Sequence, residues 1–343
     1  MISDNIGVNF VMELGESIVN DDTAAMTFEI NGKKTEVAVK DSTETVLNGK
    51  TVYSFPCYSA AAEMTDVISA QIVTSTYSSE VFTYTVQDYA QYILEHSEDY
   101  GSTVSVVKAM LNYGTAAQEY FRHNTENPAN SILAEDDREI LPVTKNDLLP
   151  YKYKVTDNDA DIDFVGQKLS LKNRVILKLY FSGKSNKTFT VNDFAVSVGA
   201  EIVSSERLSV GSDSNGQYLA IKEICANEYG KSFTISVGDL TISNISVFSY
   251  LERAVSGNKS ELSDLVNTMY AFNKALLQME YIPLRGDANH DGRVNSHDAY
   301  CVISDIISGE LGCSLEEADI NCDGCITAQD AAIILKILTE NGI

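Results

Sequence analysis

DANHDGRVNSHD at 287–298 and DINCDGCITAQD at 319–330 are the stretches that decide how this chain is read. Aligned, both twelve-residue segments carry Asp at position 1, Asn at 3, Asp at 5, Gly at 6 and Asp at 12. Oxygen side chains at these positions with Gly at 6 form the pattern of a loop wrapped around calcium. Calcium takes six to eight hard oxygens at about 2.3–2.6 Å, and alternate positions of a tight turn bring three side chains to one point. Asp287, Asn289 and Asp291 supply those three. Gly292 permits the bend, Arg293 offers its carbonyl, Asn295 can hold a water, and Asp298 closes the shell from the first turn of a following helix. In the second loop the same roles fall to Asp319, Asn321, Asp323, Gly324, the carbonyl of Cys325, Thr327 and Asp330. Two loops predict two Ca2+ ions. The plainer alternative is a pair of solvated turns that binds nothing, and the matched Gly and closing Asp argue against it.

Two departures from the EF-hand are informative. Position 12 is Asp in both loops, and IPLRG at 282–286 places Pro283 and Gly286 where a preceding helix would stand. Each loop instead leads into a helix, AYCVISDIISG at 299–309 and AAIILKILTEN at 331–341. This duplicated loop-helix, repeating every 32 residues, resembles the type I-like dockerin module of cellulosomes, over essentially all of 286–343. The resemblance implies a calcium-dependent plug that binds a cohesin module on a scaffold protein of a polysaccharide-degrading complex. It places partner recognition at loop positions 10 and 11, here Ser296, His297, Ala328 and Gln329, and further along the helices at Ile303, Ser304, Leu335 and Lys336. The two copies differ at all of these positions, which speaks against two equivalent binding orientations.

Within this tail, Ile306, Ile307, Ile333, Ile334, Ile337 and Leu338 are expected to form the shared helical core, with some left exposed because so short a segment buries little without metal. Four of the six cysteines (Cys301, Cys313, Cys322, Cys325) crowd here. A zinc site is conceivable, but Cys322 and Cys325 sit among oxygen ligands that suit calcium. A Cys301–Cys313 disulfide fits a secreted setting better, with reduced buried thiols as the other reading.

Upstream, the sequence repeats itself. Val8-Phe10-Met12-Leu14 matches Val175-Leu177-Leu179-Phe181 at an offset of 167, and Met26-Phe28-Ile30 matches Phe194-Val196-Val198 at 168. Tyr53 is paired with Tyr218, and Ala70-Ile72 with Ile235-Val237, at 165. These are period-2 strands with one buried face. Each unit closes with two amphipathic helices: Val86-Tyr89-Ala90-Ile93-Leu94 matches Val247-Tyr250-Leu251-Ala254-Val255, and 106–121 matches 265–280, with Tyr113 opposite Phe272. LNYGTAAQEYF (111–121) followed by NTENPAN (124–130) is similar to uncharacterised modules of secreted gut-bacterial proteins. The expected architecture is α+β and multidomain: repeat module 1 at 1–130, a linker at 131–150, repeat module 2 at 151–284, and a small all-α dockerin at 285–343.

Composition narrows the function. A net charge of -24 repels phosphate backbones, so nucleic acid is not an expected partner. No apolar run approaches the ~20 residues of a membrane span. The chain starts in a strand rather than a signal peptide, so a piece of a longer, extracellular protein is expected. No HExxH, P-loop, GxGxxG or GxSxG occurs. His96 and His123 lack a partner cluster and read as surface residues. DNDADID at 157–163 lacks the loop glycine and reads as linker. Three classes compete: a non-catalytic component whose repeats bind something, the C-terminal part of a dockerin-bearing glycoside hydrolase or peptidase, and a spacer. Tandem copies of about 120 residues suit binding or spacing better than catalysis. A polysaccharide or cell-surface ligand remains open, although zero Trp weakens sugar stacking.

Overall fold

The computed structural model describes residues 6–47, 49–101, 103–159, 161–171, 175–183, 187–257, 262–280, 288, 296–308, 313, 318, 320 and 325–340. Met1–Met279 form one compact unit and Glu280–Ile343 a second.

The first unit begins with β1 (Gly7–Met12), a short helix α1 (Glu16–Val19), β2 (Ala25–Ile30), β3 (Lys33–Ala38), β4 (Thr43–Leu47), β5 (Lys50–Tyr58), β6 (Ile68–Val73) and β7 (Phe82–Tyr84). The helices α2 (Val86–Glu95), α3 (Ser97–Tyr100) and α4 (Thr103–Phe121) follow, and α5 (Lys145–Leu148) lies in the connection. The second half has β8 (Lys154–Asp157), β9 (Ile162–Leu171), β10 (Val175–Gly183), β11 (Phe194–Val198), β12 (Glu201–Ile202), β13 (Leu208–Asp213), β14 (Gly216–Ile224), β15 (Phe233–Val237) and β16 (Leu240–Ile245), then α6 (Val247–Ser256) and α7 (Ser263–Glu280).

The strands form two sheets per module, in matching orders. Module 1 has β1-β5-β4 and β3-β2-β6-β7, and module 2 has β13-β14-β10-β9 and β12-β11-β15-β16-β8. Removing β8 and β9 makes the two topologies identical. The local chemistry repeats as well. Ala60 N donates to Glu63 Oε2 at 3.2 Å, and Cys225 N donates to Glu228 Oε2 at 3.2 Å, closing equivalent helical turns. Each α2-type helix is capped three residues in: Asp88 N donates to Thr85 Oγ1, and Ser249 N to Ser246 Oγ, both at 2.9 Å. The β2–β3 hairpin turns on Asn31 and Gly32, both at positive φ (52° and 75°), as a two-residue turn matched to strand twist demands.

Register corrects one expected match. Phe10 pairs with Phe55, and its counterpart Leu177 pairs with Ile221. Tyr53 therefore corresponds to Leu219, not to Tyr218. Tyr218 is one residue out of phase and so points to the opposite face of its sheet.

The two modules share one continuous apolar core. Tyr113 on α4 stacks on its own counterpart Phe272 on α7, with ring centroids 5.9 Å apart, and its hydroxyl is hydrogen-bonded to that of Tyr229. Next to it, Gly114 lies against Met64 and Ala129, where an added Cβ would come within 2.7 Å and 2.8 Å of side-chain atoms. Asn112, Thr115 and Gln118 occupy another stripe of α4 and hold the segment that follows it. Asn112 Nδ2 donates to Asp137 O (2.8 Å), Thr115 Oγ1 accepts from Asn130 N (2.9 Å), and Gln118 Oε1 accepts from Ala129 N (2.8 Å). This is why LNYGTAAQEYF and NTENPAN occur together. The connection is thereby laid down on the fold, and Val143 N donates to Asn267 Oδ1 on α7 at 2.9 Å.

DNDADID has a structural role between β8 and β9. Asp159 Oδ2 accepts from Asp239 N (2.9 Å) and Oδ1 from Asp161 N (2.7 Å). These backbone donors hold its carboxyl below the usual carboxylate range.

Burial pushes the Tyr113 hydroxyl and the Cys57 thiol each up to about 12 and lifts Tyr229 well above the ordinary tyrosine value. The neutral forms are favoured in the fold, so the folded state retains protons that the unfolded chain releases. Stability is complete below the unfolded values (about 8.5 for Cys and about 10 for Tyr) and falls as pH rises toward 12. The urea midpoint of this unit should drop steadily over that window, and Tyr113→Phe should flatten the drop. A midpoint independent of pH from 9 to 12 would contradict the burial of these groups.

Candidate calcium and docking site

The second unit is built on α8 (Ser296–Ser308) and α9 (Ala328–Glu340), which pack against each other. Each helix starts at position 10 of its loop, so the closing Asp298 and Asp330 both fall third in the helix. Both are fully buried, at 0% exposure.

At Asp330 the local geometry explains how loop and helix are joined. Thr327 stands just before the helix, and its hydroxyl accepts from Gln329 N at 3.2 Å. In return, Asp330 Oδ2 accepts from Thr327 N at 2.8 Å and from Thr327 Oγ1 at 3.0 Å. Asp330, third in the helix, thus supplies the reach-back half of a capping box, while the Thr327 hydroxyl caps the second helical N–H. The other oxygen, Oδ1, accepts from Ile320 N at 3.0 Å. Position 12 is thus tied to positions 2 and 9, drawing the ends of the loop together around one carboxylate. The helix N-terminus favours its negative charge.

The core beneath repeats with the same period of 32. Ala299 and Ala331 are buried, as are Val302 and Ile334, joined by Ala288, Cys313 and Ala318. Only Ile334 of the six aliphatic residues expected to form this core is seen fully buried. Ile306 is 40% and Ile307 80% exposed, Ile333 is half-buried, and the side chains of Ile337 and Leu338 lie outside the described residues. The inner face of α8 is set by Ala299 and Val302, three apart, and the isoleucines at 306 and 307 lie beyond it. Cys313 is a free thiol, so the expected Cys301–Cys313 disulfide is not formed. Burial, followed by the neighbouring Asp305, pushes the Cys313 thiol up to about 12.

Of the expected calcium ligands, Cys325, Thr327, Asp298 and Asp330 are placed. Asp287, Asn289, Asp291, Arg293, Asn295, Asp319, Asn321 and Asp323 lie outside the described residues. Among the described residues no three His, Cys, Asp or Glu side chains gather as a metal site. The donor set nevertheless suits a hard divalent cation. Residues 285–343 contain eleven Asp and Glu against three Lys and Arg. Two carboxylates are wholly withdrawn from water in a segment with few basic side chains to offset them, and a buried charge needs a compensating partner.

The expected recognition residues lie on the accessible parts of the helices. Ser296, Ala328, Gln329, Leu335 and Lys336 are exposed, Ile303 and Ser304 are half-buried, and the His297 side chain lies outside the described residues. Tyr300 and Ile307, both exposed, share a helical face with Ile303. They were not among the expected contacts, although the apolar 300, 303, 307 spacing was available to point to them.

A second polar cluster was not foreseen at all. His123 Nε2 lies 2.6 Å from Oδ2 of the buried Asp66, which also accepts from Asn31 Nδ2 at 2.6 Å. Asn124 Nδ2 donates to Asp66 Oδ1 at 3.1 Å and to Thr65 Oγ1 at 2.8 Å. His123 is therefore paired, and it pins the end of α4 to the sheet.

Helix-borne calcium-loop aspartates in a tandem 32-residue repeat define a duplicated loop-helix docking module. The C-terminal module is a dockerin: residues 285–339 match the Dockerin type I domain. No curated protein is significantly similar to the chain. A dockerin implies calcium and a cohesin partner. No helix among the described residues is long and apolar enough to cross a membrane.

Proposed function

We propose that this chain is a non-catalytic, extracellular component of a cellulosome-type complex, docked through two calcium ions and residues 285–343 onto a scaffold cohesin. The observation that carries the reading is the symmetry of the tail: Asp298 and Asp330 are buried at equivalent helix starts, above matching Ala and aliphatic core positions. One ion is held by Asp287, Asn289, Asp291, the Arg293 carbonyl, Asn295 and Asp298. The other is held by Asp319, Asn321, Asp323, the Cys325 carbonyl, Thr327 and Asp330. Cohesin contact runs over Ser296, His297, Ile303 and Ser304 on one helix, and over Ala328, Gln329, Leu335 and Lys336 on the other.

The repeat modules, with boundaries at 1–130 and 151–284, serve binding or spacing. Their shared core makes them a stiff pair, which supports presentation of one defined surface. The docking claim is tested by capture on immobilised type I cohesins. Capture in calcium that is abolished by a chelator is expected. Capture that survives chelation, or equal capture of residues 1–279 without the tail, would overturn it. A glycan role for the modules is tested by affinity electrophoresis of the chain against plant and host polysaccharides.

A further inference from the structure

The helices that close the two modules, α4 and α7, flank a cleft of about 610 Å³, and residues 136–143 of the connection form its third wall. Lys108 and Asn267 stand at equivalent positions in it, each five residues before its member of the Tyr113–Phe272 stack. Neither module builds the cleft alone. The wall made by the connection is tied down at both ends. Arg138 Nη2 donates to Ser131 O at 2.7 Å and to Leu133 O at 2.6 Å, and Val143 N is held by Asn267 Oδ1. Between these ties, Lys108 Nζ donates to Asp137 Oδ1 at 2.8 Å. The cleft is therefore pre-formed, and its volume falls in the range of small-ligand sites, about 300–1,000 Å³.

Its lining mixes donors and acceptors that the fold leaves unused. Asn267 commits its Oδ1 to Val143 N, and its Nδ2 has no partner among the described residues. Lys274 Nζ lies 5.4 Å from the centre of the Tyr270 ring and forms no ion pair among the described residues. The exposed Asp136 and Glu139 are likewise unpaired there. Ala109 and Ala271 keep the helix faces low, and Leu141, 82% exposed, adds apolar surface.

This composition selects among ligand classes. Four carboxylates, those of Asp136, Asp137, Glu139 and Asp147, against the two amines of Lys108 and Lys274 disfavour phosphates and other anions. A purely apolar ligand would strip water from Lys274 and Asn267 and leave both unpaired. A cationic amine would face two ammonium groups and could accept nothing from Asn267. An uncharged ligand that donates and accepts at close spacing satisfies all of these groups. Sugar hydroxyls do so, and sugar C–H faces suit Leu141 and the Tyr270 ring.

We propose that the cleft between α4 and α7 binds a short stretch of a neutral polysaccharide. This rests on the binding reading of the repeat modules and gives that reading a site and a ligand class.

The test is a nuclear magnetic resonance titration of the full chain with cellotetraose, xylotetraose and mannotetraose, with tetragalacturonate as the charged comparison. Saturable binding of at least one neutral sugar is expected, with shifts concentrated in 105–112, 136–143 and 267–274, and weaker binding of tetragalacturonate. Asn267→Asp keeps the acceptor for Val143 N and removes the unused donor. Lys274→Met keeps the stem beside Tyr270 and removes the charge. Each should leave the melting temperature unchanged and weaken binding by about tenfold. Binding by none of the neutral sugars would overturn the proposal together with the glycan reading of the modules. Binding that shifts other residues, or that ignores both substitutions, would leave the glycan reading standing and overturn this site. Tetragalacturonate binding as tightly as the neutral sugars would overturn the ligand class.

Discussion

Replacing Asp298 and Asp330 together by Ala should unfold the C-terminal unit and abolish cohesin capture, and chelation of the unaltered chain should do the same. The effect is expected to be large because the unit has little else to hold it. Its described buried core consists of seven small or medium side chains, four of them alanines. Segments of this size are marginal without metal, disulfide or partner, and Cys313 forms no disulfide. Each substitution removes a proposed loop-closing ligand. At Asp330 it also removes the acceptor for Ile320 N, Thr327 N and Thr327 Oγ1. The loss of the capping interactions alone would cost about 1 kcal/mol, and loss of the ion adds the binding free energy linked to folding. Helical signal and exchange protection over 296–308 and 328–340 should disappear in the double variant, while the Met1–Met279 unit keeps its transition. A double variant that retains both the protection and chelator-insensitive capture would sink the account of the tail.

Tyr113→Ala should destabilise both repeat modules in a single step. Tyr113 is wholly buried, stacks on Phe272 of the other module and shares a hydrogen bond with Tyr229. Truncating an aromatic side chain in such a site costs about 3–5 kcal/mol, a large part of an ordinary domain's stability. Tyr229 would also lose its hydroxyl partner at a buried position, which adds to the loss. Gly114→Val, one residue on, tests the same contact from the opposite direction. There is no space between Met64 and Ala129 for a side chain, so overpacking should cost about 1–3 kcal/mol. Calorimetry should show one transition for residues 1–279, shifted to lower temperature in both variants. Two separate transitions, only one of them shifted, would show that the modules fold independently.

The sequence made much of this visible, for identifiable reasons. Period-2 alternation gave the strands, and the offsets near 165 gave the equivalence of the modules, since buried faces constrain side chains at every second position. The loop glycines and closing aspartates of the tail were legible because calcium geometry fixes residue types at fixed spacing. What escaped depends on contacts distant in sequence. Tyr53 and Tyr218 look alike, but register sets them on opposite faces. His123 had no visible partner because Asp66 lies 57 residues earlier, brought near only by the packing of α4 on the sheet. The isoleucines at 306 and 307 read as core by composition, yet the buried residues of α8 are Ala299 and Val302, with Cys301 and Ile303 partly buried against them. DNDADID at 157–163 looked like a linker because its anchoring carboxylate, Asp159, binds backbone rather than metal.

The most direct test of the central claim is a calorimetric titration of Ca2+ into the chelator-treated chain, with helicity of the tail followed in parallel. Uptake of two ions accompanied by a gain of helix is the predicted result. A tail that is already fully folded in chelator and takes up no calcium would contradict it.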